Sequence, residues 1–410
     1  TRASGAALVI ANDSVNGDKI ADDSIDSEHY VDGSIDLGHL AADCVDGTKI
    51  ADNSIGIEHL EDDTVGVAEL SATGTASSST YLRGDNSWAA AGGATSIDGL
   101  SDAIATSGDG GASIGLGTDA VGNTQNYKFN IGLGYRALRN VTSGTNNVGI
   151  GNEPLKTLTT GSKNTGIGYS LGKLTTASGN VGIGYGTLKE ATTGYDNVAI
   201  GLDTLDALTT GYDNIAIGGY TASSMTTAQH NTAVGSGAMF ACTTGIQNTA
   251  IGRLAMYSNT TANYNTAIGA SALQANTTGT NNVAIGRQTM DANTTASNNT
   301  AVGYSALGAN TTASYNTAIG KDSLKATTTG QSNSGLGYKS MEANTTGGSN
   351  TALGYYALSA NTTAGNNVAV GADALALNTT GASNVAMGAS ALDANTTGSS
   401  NVAIGWNSMT

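Results

Sequence analysis

Proline is nearly missing from this chain of 410 residues, occurring once, at Pro154. Aromatic side chains make up 5% of the sequence, with two Phe and two Trp, and charged residues 12%. An α/β enzyme of this length fills its cores with bulky side chains, so the composition argues against that class. Long hydrophobic runs are absent too. The longest near the start is Ala6 to Ala11, far short of the roughly 20 residues that span a bilayer. Neither a signal peptide nor membrane insertion is expected, and Thr1 reads as the start of a trimmed chain. Cysteine is limited to Cys44 and Cys242, in different repeat systems. A disulfide would need their Cα atoms within about 7 Å, and both are expected as free thiols.

Clusters of positive charge are also lacking. The net charge is −16, and residues 1 to 70 hold 16 acids and three bases, leaving the other 340 residues nearly neutral. An acidic chain repels phosphate backbones, which disfavours a nucleic-acid partner.

What is present is glycine, 58 residues of it, and two internal repeats. After a lead-in over residues 1–10, an apolar residue recurs every five positions over residues 11–70, as in Ile20, Ile25, Tyr30, Ile35 and Leu40, within a ten-residue unit. Period five fits neither helix nor strand. One apolar stripe cannot enclose a core in one chain, so several chains sharing it as a thin stalk is the expectation. Residues 71–112 lose both periods and read as a Gly/Ala/Ser-rich connector in which Trp88 pins a small cluster.

Residues 113–410 form an eighteen-fold repeat with one glycine per unit, from Gly117 to Gly405. Sixteen of the seventeen intervals are 17 residues, and Gly168 to Gly184 is 16. Leu171 keeps its distance to the next glycine, which puts the missing residue in the corner after Gly168. Counted from each glycine, −1 is aliphatic or Met (Ile268) and +4 is nearly always Leu or Met (Leu273). Position −4 is Asn in every unit but the first (Asn265), and −2 is always Gly or Ala (Ala267). Identical residues at a constant spacing are what a coiled parallel β-structure requires, since each residue stacks on its equivalent about 4.8 Å away. Asn265 and Asn276 are expected to form amide ladders at the turns, with Gly117, Gly269 and their equivalents at a corner. The expected fold is all-β, an elongated rod of 17-residue coils.

Along a strand −1 and −3 share one face and −2 the other. Because −2 never carries a polar side chain, both faces are expected to be buried. One would meet the chain's own core, and the Gly/Ala face would meet the same strand of sister chains around an axis.

The unit Asn265-Thr266-Ala267-Ile268-Gly269, continuing through Ala272-Leu273 to Asn276-Thr277-Thr278-Gly279, resembles the head repeat of trimeric autotransporter adhesins and its longer variants in phage tail fibres. The ten-residue unit (Ala51-Asp52-Asn53-Ser54-Ile55, then Glu58-His59-Leu60) and the segment Tyr81-Leu82-Arg83-Gly84-Asp85-Asn86-Ser87-Trp88 look like stalk and connector sequences of such fibres. The resemblance implies a homotrimer of left-handed β-roll coils that attaches a virion to its host. Its partners would be virion tail or capsid proteins and a host-surface glycan or protein, and its location the virion. The autotransporters' anchor barrel has no counterpart here, which favours the viral reading. The alternatives are a cellular trimeric surface adhesin or filament subunit, outside or on the cell, and a polysaccharide depolymerase spike.

Chemistry-bearing residues are few. His29, His39 and His59 share a repeat slot with Lys19 and Lys49, which is poor metal-ligand chemistry. The acids Asp22, Asp23, Asp62 and Asp63 lack the spacing of a calcium loop. Arg83-Gly84-Asp85 spells an integrin tripeptide but reads as a turn. Asn-Thr-Thr recurs at Asn259, Asn276, Asn293, Asn310, Asn344, Asn361, Asn378 and Asn395, each a formal glycosylation sequon at a turn that needs Asn anyway. Asp203, Asp206, Asp291, Asp373 and His230 are scattered through the roll. No catalytic group, cofactor or metal is expected. The suggestive feature is at +1, where Tyr135, Tyr169, Tyr185, Tyr304, Tyr338, Tyr355 and Trp406 present rings that stack on sugars, although Arg253, Arg287 and Lys321 take the same slot. These seven are the candidate receptor contacts, against the plainer reading that they only favour a strand edge.

Overall fold

The computed structural model describes residues 80–82, 88–90, 103–108, 111–121 and 129–409. The ten-residue repeats, with Cys44 and His29, His39 and His59, lie outside the described residues, as does the Arg83-Gly84-Asp85 turn. The chain divides into two units, residues 1–90 and 91–410. In the first, β1 (Thr80–Leu82) pairs antiparallel with β2 (Trp88–Ala90), setting Leu82 opposite Trp88.

The second unit is a parallel β-solenoid. A short antiparallel pair, β3 (Ala103–Gly108) and β4 (Gly111–Leu116), opens it. From β4 a parallel ladder then runs one strand per repeat, from β5 (Ile131–Leu133) to β21 (Val402–Ile404). Each strand pairs with the next in sequence, and among the described residues no pairing joins β21 back to β3. The sheet is therefore open and climbs a rod. At about 4.8 Å per strand the eighteen parallel strands span on the order of 80 Å.

Each step advances by one repeat, so that Thr266, Ala267 and Ile268 of β13 (Thr266–Ile268) lie against Val283, Ala284 and Ile285 of β14 (Val283–Ile285). Between β7 (Thr165–Tyr169) and β8 (Val181–Tyr185) the step is 16, with Gly168 opposite Gly184 and Tyr169 opposite Tyr185. Leu171 nonetheless donates its N–H to Thr187, as Leu188 does to Thr204. The missing residue lies between Tyr169 and Leu171, in the corner after Gly168.

The corner itself explains its glycine. Gly269 has φ +135°, and a Cβ there would lie 2.5 Å from the carbonyl of Gly286 in the next coil. Three other positions per coil are left-handed without being glycine, as in Ser271, Leu273 and Asn281, with φ of 58°, 50° and 57°. Each costs about 1 to 2 kcal/mol in isolation, which the bonds from coil to coil must offset.

The strand's inner face corrects the expectation about −2. Ala267 is buried in the chain's own core, as its equivalents are along the rod, while Ile268 at −1 is 37% exposed. The reason is the width of the coil. Built onto Gly182, a Cβ would come 2.7 Å from Leu171 Cδ1, and onto Gly166, 3.0 Å from the same atom. The +4 Leu or Met fills the narrow interior, so the strand residue facing it must be small. Leu138, Leu155, Leu171, Leu188, Leu205 and Leu273 are fully buried in that ladder.

Two ladders carry the buried asparagines. Asn265 is buried; its Nδ2 donates to the Gly279 carbonyl at 2.9 Å and to Asn248 Oδ1. The same arrangement repeats from coil to coil. At +7 the ladder is apolar in the first half of the rod, where Val141, Leu158, Leu174, Met225 and Cys242 are buried. From Asn259 onward it is asparagine except at Thr327, with Asn293 Nδ2 donating to Asn276 Oδ1 at 2.8 Å. Seven of the eight sequon asparagines, Asn276 among them, have no exposed surface, so the fold leaves no room for glycans at those seven.

Candidate functional surface

Turning the small residues inward turns the large ones out. Ile217, Ile251, Ile268, Ile285, Ile319, Leu336, Leu353, Met387 and Ile404 at −1 are exposed large hydrophobics, with β-branched residues such as Ile215 and Val402 beside them at −3. The outer face of the sheet thus carries an unbroken aliphatic column at −1, beside a −3 column in which Val and Ile alternate with Thr and Ser such as Thr266 and Ser334, and among the described residues nothing covers it.

The corner after the strand carries the ring row. Tyr135, Tyr169, Tyr185, Tyr304, Tyr355 and Trp406 are exposed and Tyr338 half-buried. The structure gathers some of them. Tyr169 stacks on Tyr185 with centroids 5.4 Å apart, and Tyr338 on Tyr355 at 5.5 Å. Lys321 Nζ sits between Tyr304 and Tyr338, 5.9 and 5.5 Å from their centroids, and Arg287 lies over the far side of Tyr304. The cations that share the slot are therefore part of the row, held by the ring faces. The Arg136 guanidinium lies over the Tyr135 ring, and Trp406 follows β21.

Other ring pairs escaped the sequence reading although they carry the same signature of a 17-residue spacing. Tyr195 stacks on Tyr212 at 4.7 Å and Phe240 on Tyr257 at 5.1 Å, on other corners of the coil.

The short coil breaks the 17-residue spacing. There a cleft of about 340 Å³ is lined by Glu153, Lys156, Thr157, Tyr169, Ser170, Gly172, Lys173, Lys189 and Glu190. Lys156 bonds Glu153 at 2.7 Å, and Lys173 pairs with Glu190. The lysine holds the Glu153 carboxyl below the usual carboxylate range, and the carboxylate raises Lys156 in turn.

Burial raises the Asp206 and Asp291 carboxyls. They occupy equivalent positions five coils apart, about 24 Å along the rod, well beyond the roughly 5 to 9.5 Å of a glycosidase pair. Among the described residues no group of three or more His, Cys, Asp or Glu is arranged to hold a metal ion. Nor is any helix among them long and apolar enough to cross a membrane. No family model, curated protein or solved structure matches the chain.

Proposed function

We propose that this protein is a structural fibre: three copies pack their exposed sheet faces around an axis along the rod, and the assembly serves host attachment on a virion. The single observation that carries the reading is the uncovered aliphatic strip. Eighteen strands long, it runs on the order of 80 Å along the rod from strand geometry.

A copy of the same chain is the natural occupant, because its own strip has the same length and the same repeat, so side chains interdigitate along the whole rod. An axis parallel to the rod also sets equivalent coils of the copies side by side. The number three and the viral setting are supported by the resemblance of the repeats to adhesin heads and tail fibres. Attachment would then reside in the rings and cations at the corners, displayed on every copy, where weak contacts gain from multiplicity.

Sedimentation equilibrium of the full chain tests the assembly, with three times the 40.6 kDa chain mass expected. A monomeric mass overturns it. Adsorption of the labelled protein to host cells, blocked by excess unlabelled protein, tests the attachment role.

A further inference from the structure

We propose that the cleft at the short coil is a binding site for an acidic saccharide, a sugar ring bearing a carboxylate. The site deepens the reading of the rod as an attachment device by naming a ligand class, yet it is built from one chain and stands or falls separately from the trimer.

Three features coincide there. The first is the deleted residue between Tyr169 and Leu171, which marks a change in the corner. Before it Leu138 and Leu155 donate their N–H groups back to Ala120 and Ala137 of the preceding coil, and from Leu171 onward the bond points forward, to Thr187. The second is Gly172. It occupies the slot that Lys156 and Lys189 fill in the adjacent coils, and a Cβ built on it would meet one atom, the Lys189 carbonyl oxygen at 3.5 Å. The gap in that side-chain row is the floor of the cleft. The third is Tyr169, exposed and stacked on one face by Tyr185. Its other neighbour in the row is Asn152, so no ring covers the opposite face.

The rim supplies the polar recognition. Three lysines against two glutamates leave one positive charge on a cleft in an otherwise acidic protein. Lys156 and Lys173 are paired, whereas Lys189 is exposed and forms no ion pair among the described residues. An incoming carboxylate would take Lys189, the ring would lie on Tyr169, and Glu153 and Glu190 are placed to accept sugar hydroxyls. Flat apolar contact with a few directed polar groups in a cleft of this size is the usual composition of a small-molecule site.

The test is calorimetric titration of the full-length protein with trigalacturonate, alongside neutral galactotriose and inorganic phosphate. Binding of trigalacturonate that weakens with salt is expected, with at least about tenfold weaker binding of the neutral sugar and of phosphate. Gly172→Gln fills the cleft with a side chain that the equivalent Gln274 already carries, so an unchanged melting curve and loss of binding are expected. Should that variant misfold, exposed Lys189→Glu gives the same readout. Tyr169→Ala should weaken binding about tenfold, and Tyr304→Ala leave it unaltered. Equal binding of galactotriose or phosphate, full binding by the Gly172→Gln protein, or no binding by the native chain would each overturn the proposal. A trimer that does not bind trigalacturonate sinks this site alone, and a binding monomer sinks the trimer alone.

Discussion

The side-chain oxygen of Asn265 accepts the backbone N–H of Asn282, its equivalent one coil on, at 2.9 Å. One residue type thus ties each coil to the next, and the bond lies out of water. Asn265→Ala should cost about 1 to 3 kcal/mol, the cost of a buried donor left without its acceptor, and lower the melting temperature. An unchanged melting curve would show that water replaces the amide.

The two strand faces predict opposite outcomes for neighbouring residues. Ile268→Glu combined with Ile285→Glu should reduce the sedimentation mass to that of one 40.6 kDa chain while β-sheet circular dichroism persists. Ala267→Leu forces extra methylenes into a filled coil, for about 1 to 3 kcal/mol, and should lower stability without first dissociating the assembly. The reverse pattern would put Ala267 at the interface after all.

Cys242 is buried in the +7 ladder, and burial pushes its thiol up to about 11. At pH 8 about one thiol in a thousand is ionised, so alkylation should be slow until the coil opens. In a Cys44→Ser background, mass spectrometry should find Cys242 unmodified in the native protein and labelled in denaturant. Fast native labelling would reveal local opening of that coil.

Asp206 and Asp291 bear on pH. Burial raises both carboxyls in the folded state, and Asp206 Oδ1 has no hydrogen-bond partner. A raised carboxyl favours the folded state below its unfolded value, about 3.9, and that advantage is lost as pH rises through the folded value. Asp206→Asn should therefore raise the melting temperature at neutral pH, with the gain vanishing in acid. A gain of equal size at both pH values would trace it to something other than ionisation.

Removing one coil tests the solenoid. Because each coil touches only its neighbours, deleting residues 282–298 should leave a folded, shorter rod of similar melting temperature. Aggregation of that product would mean that the rod depends on contacts between distant coils.

Much of the fold is legible in the sequence. A glycine every 17 residues with an Asn four positions ahead requires equivalents to stack, and the strands pair at that register. The interval of 16 after Gly168 located the one irregular corner. The cleft it produces was not legible, because it needs Gly172, Tyr169 and Lys189 to meet across three coils, and their adjacency follows from the stacking. The ring row was visible as a spacing, but the insertion of Lys321 between Tyr304 and Tyr338 was not.

The sequence by itself determined the coil length, the corners and which residues share a strand face. Only the tertiary structure decided which face turns inward. Alternation of period two separates −2 from −1 and −3 without saying where the core lies, and the usual rule that the larger aliphatic residues are buried points the wrong way here. The coil is too narrow to hold Ile268 and Leu273 side by side, so Ala267 takes the interior and the isoleucines line the outside.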